Sequence, residues 1–284
     1  MPDTATAHSS RKSWLRHLAR IGTDHGFFQR LGQRHIALFV EEGDTLVLSF
    51  DRAERLWDQG EAGLPLGFDA VTAHEFSLLS LVAIGRTWFR KGGVDEMLQS
   101  LSAEGFFASY KQVLILGIGP DCGHAAARAA HHIPGARALL CRPAAAISAT
   151  HAPFETRFRT DRRADPDTPL PLGPEALANA ARSFILFDPT HAPEAAQAAL
   201  FRAPGTTRIA VPHGGAALGH TLARAETLVP LTRALADATG DTLDARRIRA
   251  LLRPGLRRDP GYRARLAARL AARRAMRLAA RARR

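Results

Sequence analysis

Residues 111–130 read KQVLILGIGPDCGHAAARAA, an apolar run that stops in a glycine-rich turn and continues into an alanine-rich stretch. Residues 113–116 have the unbroken hydrophobicity of a strand covered on both faces, as a parallel sheet between two helix layers requires. Gly117, Gly119 and Gly123 let the chain bend sharply there and bring backbone N–H groups toward anything held at the helix N-terminus. A chain built around such a unit folds as α/β layers, and its ligand chemistry belongs at that bend.

The bend admits three readings. As a dinucleotide turn, Gly117, Gly119 and Gly123 form G-x-G-x-x-x-G; as a methyltransferase first motif, VLILGIGPDCG would wrap S-adenosylmethionine. Both want an acidic residue at the end of the next strand to hold ribose hydroxyls. Residues 136–141 run instead into Arg142, which suits a 2′-phosphate and so favours NADP over the methyl donor. Both also place the turn near the start of the fold, whereas residues 35–40 and 45–50 already read as strands upstream. The third reading is a nucleophile turn, G-x-Nu-x-G. Residues 183–187 (SFILF) form a strand ending in Asp188, and residues 207–211 (TRIAV) form the next, followed by Pro212 and His213. Nucleophile turn, then acid, then histidine is the chain order of the α/β-hydrolase triad.

Over residues 22–236 the chain resembles α/β-hydrolase-like proteins of alphaproteobacteria, a family often labelled phosphoadenosine phosphosulfate reductase. The likeness runs through DHGFFQRLGQRHIALFVEEGDTLVLSFD, LPLGFDAV, TWFR, the glycine turn, APFETRFRTDRR and FILFDPT. The label implies a PP-loop such as S-G-G-x-D-S and a cysteine in an E-C-G-x-H context. The nearest stretches here are Ser49-Phe50-Asp51-Arg52 and Asp121-Cys122-Gly123-His124. In related hydrolases the turn reads roughly G-x-S-x-G-G, and the serine register falls on Gly119, which carries no nucleophile. A one-residue insertion would shift the register so that Gly119-Pro120-Asp121-Cys122-Gly123 fits G-x-Nu-x-G, with Asp121 as nucleophile and Cys122 beside it. Pro120 restricts that bend through its fixed φ. The alternative is a plain helix N-terminus with Asp121 in a capping role and Cys122 packed against the sheet. Asp51, after the LVLSF strand, stands where a hydrolase builds its oxyanion loop; only backbone N–H groups there would help, since its own charge opposes an oxyanion.

Charge is distributed unevenly. Residues 241–284 hold 15 Arg and 3 Asp, a net of +12 that equals the whole-chain value, so the first 240 residues balance. A neutral body with a cationic tail assigns any polyanion contact, nonspecific in kind, to the tail. The tail's alanine and leucine content is helical, with arginine on every side and only Tyr262 to stack on a base. Cys122 and Cys141 give no disulfide framework and suit a reducing, cytoplasmic setting. No segment approaches 18 apolar residues, so neither a membrane span nor a signal peptide is expected. His124, His131, His132 and His220 lie in helical stretches, without H-x-x-x-H or C-x-x-C spacing, and no metal site or cofactor is expected.

Residues 144–177 are proline-rich and include Arg157, Arg159, Arg162 and Arg163, a cluster suited to clamping a phosphate, sulfate or carboxylate. The sequence therefore predicts a disordered N-terminus over 1–19 and an α/β domain over 20–236. That domain has three layers, a mostly parallel sheet and α/β-hydrolase-like topology, and a basic helical tail follows over 241–284. The expected function is a degenerate hydrolase-like protein with little or no ester hydrolysis that binds an anionic ligand at Gly117, Gly119, Gly123, Arg157 and Arg159. Three alternatives stay open. One is an active hydrolase of ester-like substrates using Asp121 or Cys122 as nucleophile, His213 as base and Asp188 to orient it. The others are the reductase that the family label implies and the NADP or methyltransferase reading.

Overall fold

The computed structural model describes residues 4–57, 63–90, 93–163, 172–237 and 243–282. The chain opens with helix α1 (Thr4–His25) and strands β1 (Gly26–Leu31), β2 (His35–Val40) and β3 (Thr45–Arg52). Helix α2 (Phe68–His74), strand β4 (Ser77–Ala83) and helix α3 (Val94–Ala103) lead to β5 (Gln112–Ile118) and α4 (Pro120–Ala129), the unit that dominates the sequence. After β6 (Arg137–Cys141) come the short helices α5 (Arg159–Arg163) and α6 (Gly173–Ala176), then β7 (Arg182–Phe187), α7 (Ala192–Leu200) and β8 (Thr206–Ala210). Four helices end the chain: α8 (Gly215–Leu222), α9 (Ala225–Asp237), α10 (Ala245–Arg258) and α11 (Pro260–Ala282).

The eight strands form one sheet in the order β1-β2-β4-β3-β5-β6-β7-β8. β2 runs antiparallel to both β1 and β4, and every other pair is parallel. Strand alternation sends Leu114 and Leu116 into one core layer and Val113 and Ile115 into the other. The first layer is closed by α1, α2, α8, α9 and α10, which supply Trp14, Val71, Leu218, Leu231 and Leu252 among others. The second is closed by α3, α4 and α7 through residues such as Leu98, Ala126 and Ala198. This is the three-layer, mostly parallel sheet of an α/β-hydrolase-like fold. The Rossmann order places its glycine turn at the first strand, whereas here the turn follows the fifth, so the dinucleotide and methyltransferase readings lose their architecture.

Two expectations about the ends of the chain are corrected. The N-terminal stretch is helical, and within it Trp14 and Leu18 are fully buried, with Trp14 Nε1 donating to Gly63 O at 2.7 Å. A disordered segment cannot seat an indole in a core, so the body begins before residue 20. At the other end, Leu243, Ile248, Leu252 and Leu256 belong to the first core layer. α10 crosses α8 so closely that a Cβ on Gly255 would lie 2.5 Å from Thr221 Cγ2. The first half of the basic tail is therefore part of the domain, and only α11 extends along its outside. Among the described residues no helix is long and apolar enough to cross a membrane.

Two buried histidines and two buried carboxylates make stability depend on pH. Burial, reinforced by nearby Arg34, pushes His35 down to about 4, and burial pushes His124 well below its usual range. Both rings are neutral when folded, so the unfolded chain, with histidine near 6.5, binds protons the native state refuses. Their penalty starts as pH falls below about 6.5 and, for His35, is complete near 4. Glu155 and Asp188 have lowered values because hydrogen bonds outweigh the upward push of burial. Their contribution is present above the unfolded carboxyl range, about 3.9 to 4.3, and is lost as pH falls through their folded values. Urea midpoints are expected to fall steadily from pH 7 to 4 and more steeply below, and His35→Gln to flatten the upper part. A flat profile between pH 7 and 5 would refute the neutral, buried histidines.

Candidate functional site

The glycines of the bend do separate jobs. A Cβ on Gly117 would sit 2.6 Å from Cys122 O and 2.7 Å from Ala126 Cβ, and one on Gly123 would sit 2.8 Å from Pro143 Cβ. These two let α4 lie tight against β5 and against the segment after β6, and neither borders the cleft. Gly119 makes the turn itself, with φ 101° and ψ 170°. A Cβ there would meet only Asp121 Oδ1, at 3.7 Å. Pro120 then occupies the first position of α4, where its missing N–H costs the helix nothing.

This geometry settles the register. Gly119 is the residue at the apex between strand and helix, and Asp121 and Cys122 lie inside the first turn of α4. Cys122 is 1% exposed and belongs to the second core layer. Burial, with Asp121 adding to it, pushes its thiol well above the ordinary range, so it is a packing residue without thiolate character. Asp121 sits where a helix N-terminus favours negative charge. It is 6% exposed, its Oδ2 has no hydrogen-bond donor among the described residues, and Arg52 Nε lies 3.8 Å away.

A cleft of about 680 Å³ opens above the bend at the C-terminal edge of the sheet, where open α/β sheets place their ligands. Gly119, Pro120 and Asp121 form part of its floor, residues 51–56 and 64–69 one side, and α8 the other. Arg52, Arg55, Arg86 and Arg142 border it. Asp51 is buried and fully engaged: Leu66 N donates to Oδ2 at 2.7 Å, Arg52 N donates to Oδ1 at 3.3 Å, and Arg55 pairs with Oδ1. The backbone N–H of Arg52, the last residue of β3, is thereby turned onto its neighbour's carboxylate. Arg142, the residue suited to a 2′-phosphate, is bound by Glu194 with Nε to Oε1 at 2.7 Å.

Asp188 and His213 come together, but not as a catalytic pair. Asp188 is 3% exposed and accepts from His213 N at 3.0 Å, Gly215 N at 2.9 Å, and Thr190 N and Oγ1 at 2.9 and 2.6 Å. It therefore holds the backbone of the histidine loop, in which His213 has φ 65°. The imidazole faces elsewhere: Arg269 donates to Nε2 at 3.2 Å. Arg265, one turn earlier on α11, donates to His213 O at 2.8 Å and Gly214 O at 2.9 Å. The histidine that borders the cleft is His220. Its signal in the sequence is Ala216, Gly219, His220 and Ala223 at i, i+3, i+4 and i+7, a small-residue helix face that carries one imidazole.

The expected arginine clamp is not at this cleft. Arg157 is paired with the fully buried Glu155, Nη2 to Oε2 at 2.6 Å. Arg162 donates to the carbonyls of Ile147 and Ala152. Neither these residues nor Arg159 borders the cleft. The segment docks instead through Phe158 on Trp88, with ring centroids 5.0 Å apart, while Arg86 lies over Phe158 at 5.4 Å. His124 is locked beneath it, with Nδ1–H donating to Ala144 O at 3.0 Å and Nε2 accepting from Arg90 at 3.1 Å. The stretch 164–171, with Pro166, Pro169 and Pro171, lies outside the described residues.

The strand order, the bend after the fifth strand and the acid after the seventh define an α/β-hydrolase-like protein. No protein-family model matches the chain, and no curated protein matches it. Among solved structures it is similar to an esterase of Pyrobaculum calidifontis, with a TM-score of 0.40 and 14% identity, over 75% of this chain and 83% of that one. It is also similar to carboxyl esterase 2 of the mycorrhizal fungus Tuber melanosporum, with a TM-score of 0.41 and 14% identity, over 80% and 85% of the two chains. At that distance the likeness adds nothing to the topology about what the site does.

Proposed function

We propose that this protein is a degenerate α/β hydrolase: it performs no ester hydrolysis and uses the cleft above the bend to bind a small ligand that carries an anionic group. The observation that carries the reading is the pair Gly119-Pro120. A hydrolase of this topology needs a nucleophilic side chain at the apex and an oxyanion donor from the next backbone N–H. Glycine offers no nucleophile, and proline has no N–H to donate. The engagement of Arg52 N by Asp51, and of the His213 ring by Arg269, argues the same way. Arg86, with its side chain 44% exposed, is the cleft cation best able to meet an anionic ligand. Two free cysteines make a cytoplasmic setting part of the proposal, and the exposed arginines of α11 make salt-sensitive polyanion contact part of it.

The test is turnover of an activated acetate ester by purified protein. No rate above a heat-treated control is expected, and Gly119→Ser alone should remain silent, because removing a single oxyanion donor already costs about 10²–10³ in kcat. Turnover that Asp121→Asn abolishes would defeat the proposal. It would favour a second reading, in which Asp121 beside the apex is the nucleophile and His220, which borders the cleft, stands as base in place of the expected His213. The reductase label finds no support in Cys122, whose thiol is buried and protonated.

A further inference from the structure

We propose that the ligand of the cleft is a zwitterion, a small amino acid or similar molecule, whose ammonium group binds Asp121 beside Gly119 while its anionic end meets Arg86. The proposal rests on the reading of the cleft as a binding site without a nucleophile, and it names the chemistry of what binds.

Asp121 is the reason. Its side chain is 8% exposed, and its Oδ2 is a buried carboxylate oxygen without a donor among the described residues. A carboxylate removed from water needs charge-assisted partners. The nearest cation does not supply one, because Arg52 Nε stands 3.8 Å from Oδ2 and is itself bonded to Glu54 Oε2 at 3.2 Å. The neighbouring buried acid, Asp51, has both oxygens satisfied from within the chain, so of these two the unmet demand is that of Asp121. The vacancy beside it has the matching shape. The position that a nucleophile's Cβ would take at Gly119 touches nothing but Asp121 Oδ1, at 3.7 Å. A donor group entering from the cleft therefore reaches the carboxylate at Oδ1, through the space that glycine leaves.

A cation alone would be a weaker ligand, since four arginines border the same cleft against the three carboxylates Asp51, Asp69 and Asp121. A second, anionic group on the ligand turns that repulsion into a contact. Arg86 is suited to receive it: its guanidinium makes a long 3.4 Å pairing with Asp161, lies over the Phe158 ring and is still 44% exposed.

Calorimetric titration of the full-length chain with γ-aminobutyrate, butyrate and butylamine separates the possibilities. The zwitterion is expected to bind at least tenfold more tightly than either single-charge probe. Asp121→Asn should remove most of that advantage without weakening butyrate, which loses a like-charged neighbour, and Arg86→Gln should weaken butyrate and γ-aminobutyrate alike. Thermal melts of both variants confirm that they fold; if Asp121→Asn does not, Asp121→Ser, which also removes the charge at the helix start, provides the same comparison. Butyrate binding as tightly as the zwitterion, with no response to Asp121→Asn, would overturn the proposal yet leave an anion-binding cleft standing. Binding of none of the three would overturn it too, and ester turnover would remove the reading beneath it.

Discussion

Truncation after residue 242 is expected to leave a chain that does not fold cooperatively, whereas truncation after Arg258 is expected to leave a folded one. The shorter chain loses Leu243, Ile248, Leu252 and Leu256 from the first core layer, each no more than 5% exposed. Burying an aliphatic side chain contributes about 1.5–3 kcal/mol, so these four amount to roughly 6–12 kcal/mol. The whole stability of a domain is about 5–15 kcal/mol. The loss also uncovers α8 and α9, against which α10 packs, and strands Thr221, into whose side chain Gly255 is fitted. Ending at Arg258 removes α11 alone, which covers the body through half-buried Tyr262 and the contacts of Arg265 and Arg269 to the histidine loop. Circular dichroism during urea unfolding distinguishes the two truncated chains. A truncation at 242 that unfolds with an undiminished midpoint would show that α10 is an appendage after all.

That contrast shows where reading the sequence by charge goes astray. Summed over 241–284, the arginines describe a detached cationic element, yet Ile248, Leu252 and Leu256 recur at i, i+4 and i+8 on one stripe of α10. A net charge has no direction, whereas a helix does, and the stripe decides what packs. The N-terminal helix carries the same signal in Trp14 and Leu18. The strand-turn-helix at the bend was legible because continuous apolar runs and glycine breaks are properties of neighbouring residues. β6, β7 and β8 lie within one residue of their expected bounds for the same reason. β1 and β4 go beyond the expectation; β1 is an edge strand with mixed polarity, and Ser77 and Ser80 interrupt the apolar pattern of β4.

The site was legible as an order of residues but not as a set of contacts. Asp188 and His213 stand in the triad's sequence, and the fold does join them, but through the backbone N–H of His213. No side-chain pattern encodes a hydrogen bond to the main chain. The ring's partner, Arg269, is 56 residues away on the tail helix. The arginine cluster at 157–163 stands away from the cleft, and Arg157 is engaged for a more local reason. Glu155, two residues before Arg157, neutralises it, and a count of basic residues passes over that acid.

Replacing Glu155 with alanine is expected to cost about 3 kcal/mol, the scale of breaking a buried ion pair by removing one partner. Glu155 is fully buried, and its two oxygens accept from Arg157 N at 3.0 Å, Arg157 Nε at 2.9 Å, Arg157 Nη2 at 2.6 Å and Gln197 Nε2 at 2.9 Å. Gln197 in turn holds Ala145 N and Ala146 N, so the acid ties the segment after β6 to α7. Glu155→Gln keeps the volume but sets an amide N–H₂ against donors already pointing at it, and it should recover little of the loss. A double-mutant cycle with Arg157→Met isolates the pair. The double variant should be more stable than the sum of the single effects allows, because each single change strands the other's partner. Local opening gives an independent reading. Trypsin should cut at Arg157, Arg159 and Arg162 far faster in Glu155→Ala than in the parent, since the docked segment closes those sites only while its anchor holds. An unfolding free energy within about 0.5 kcal/mol of the parent, the range of an ordinary surface change, would mean that the segment is held by Phe158 and Trp88 alone.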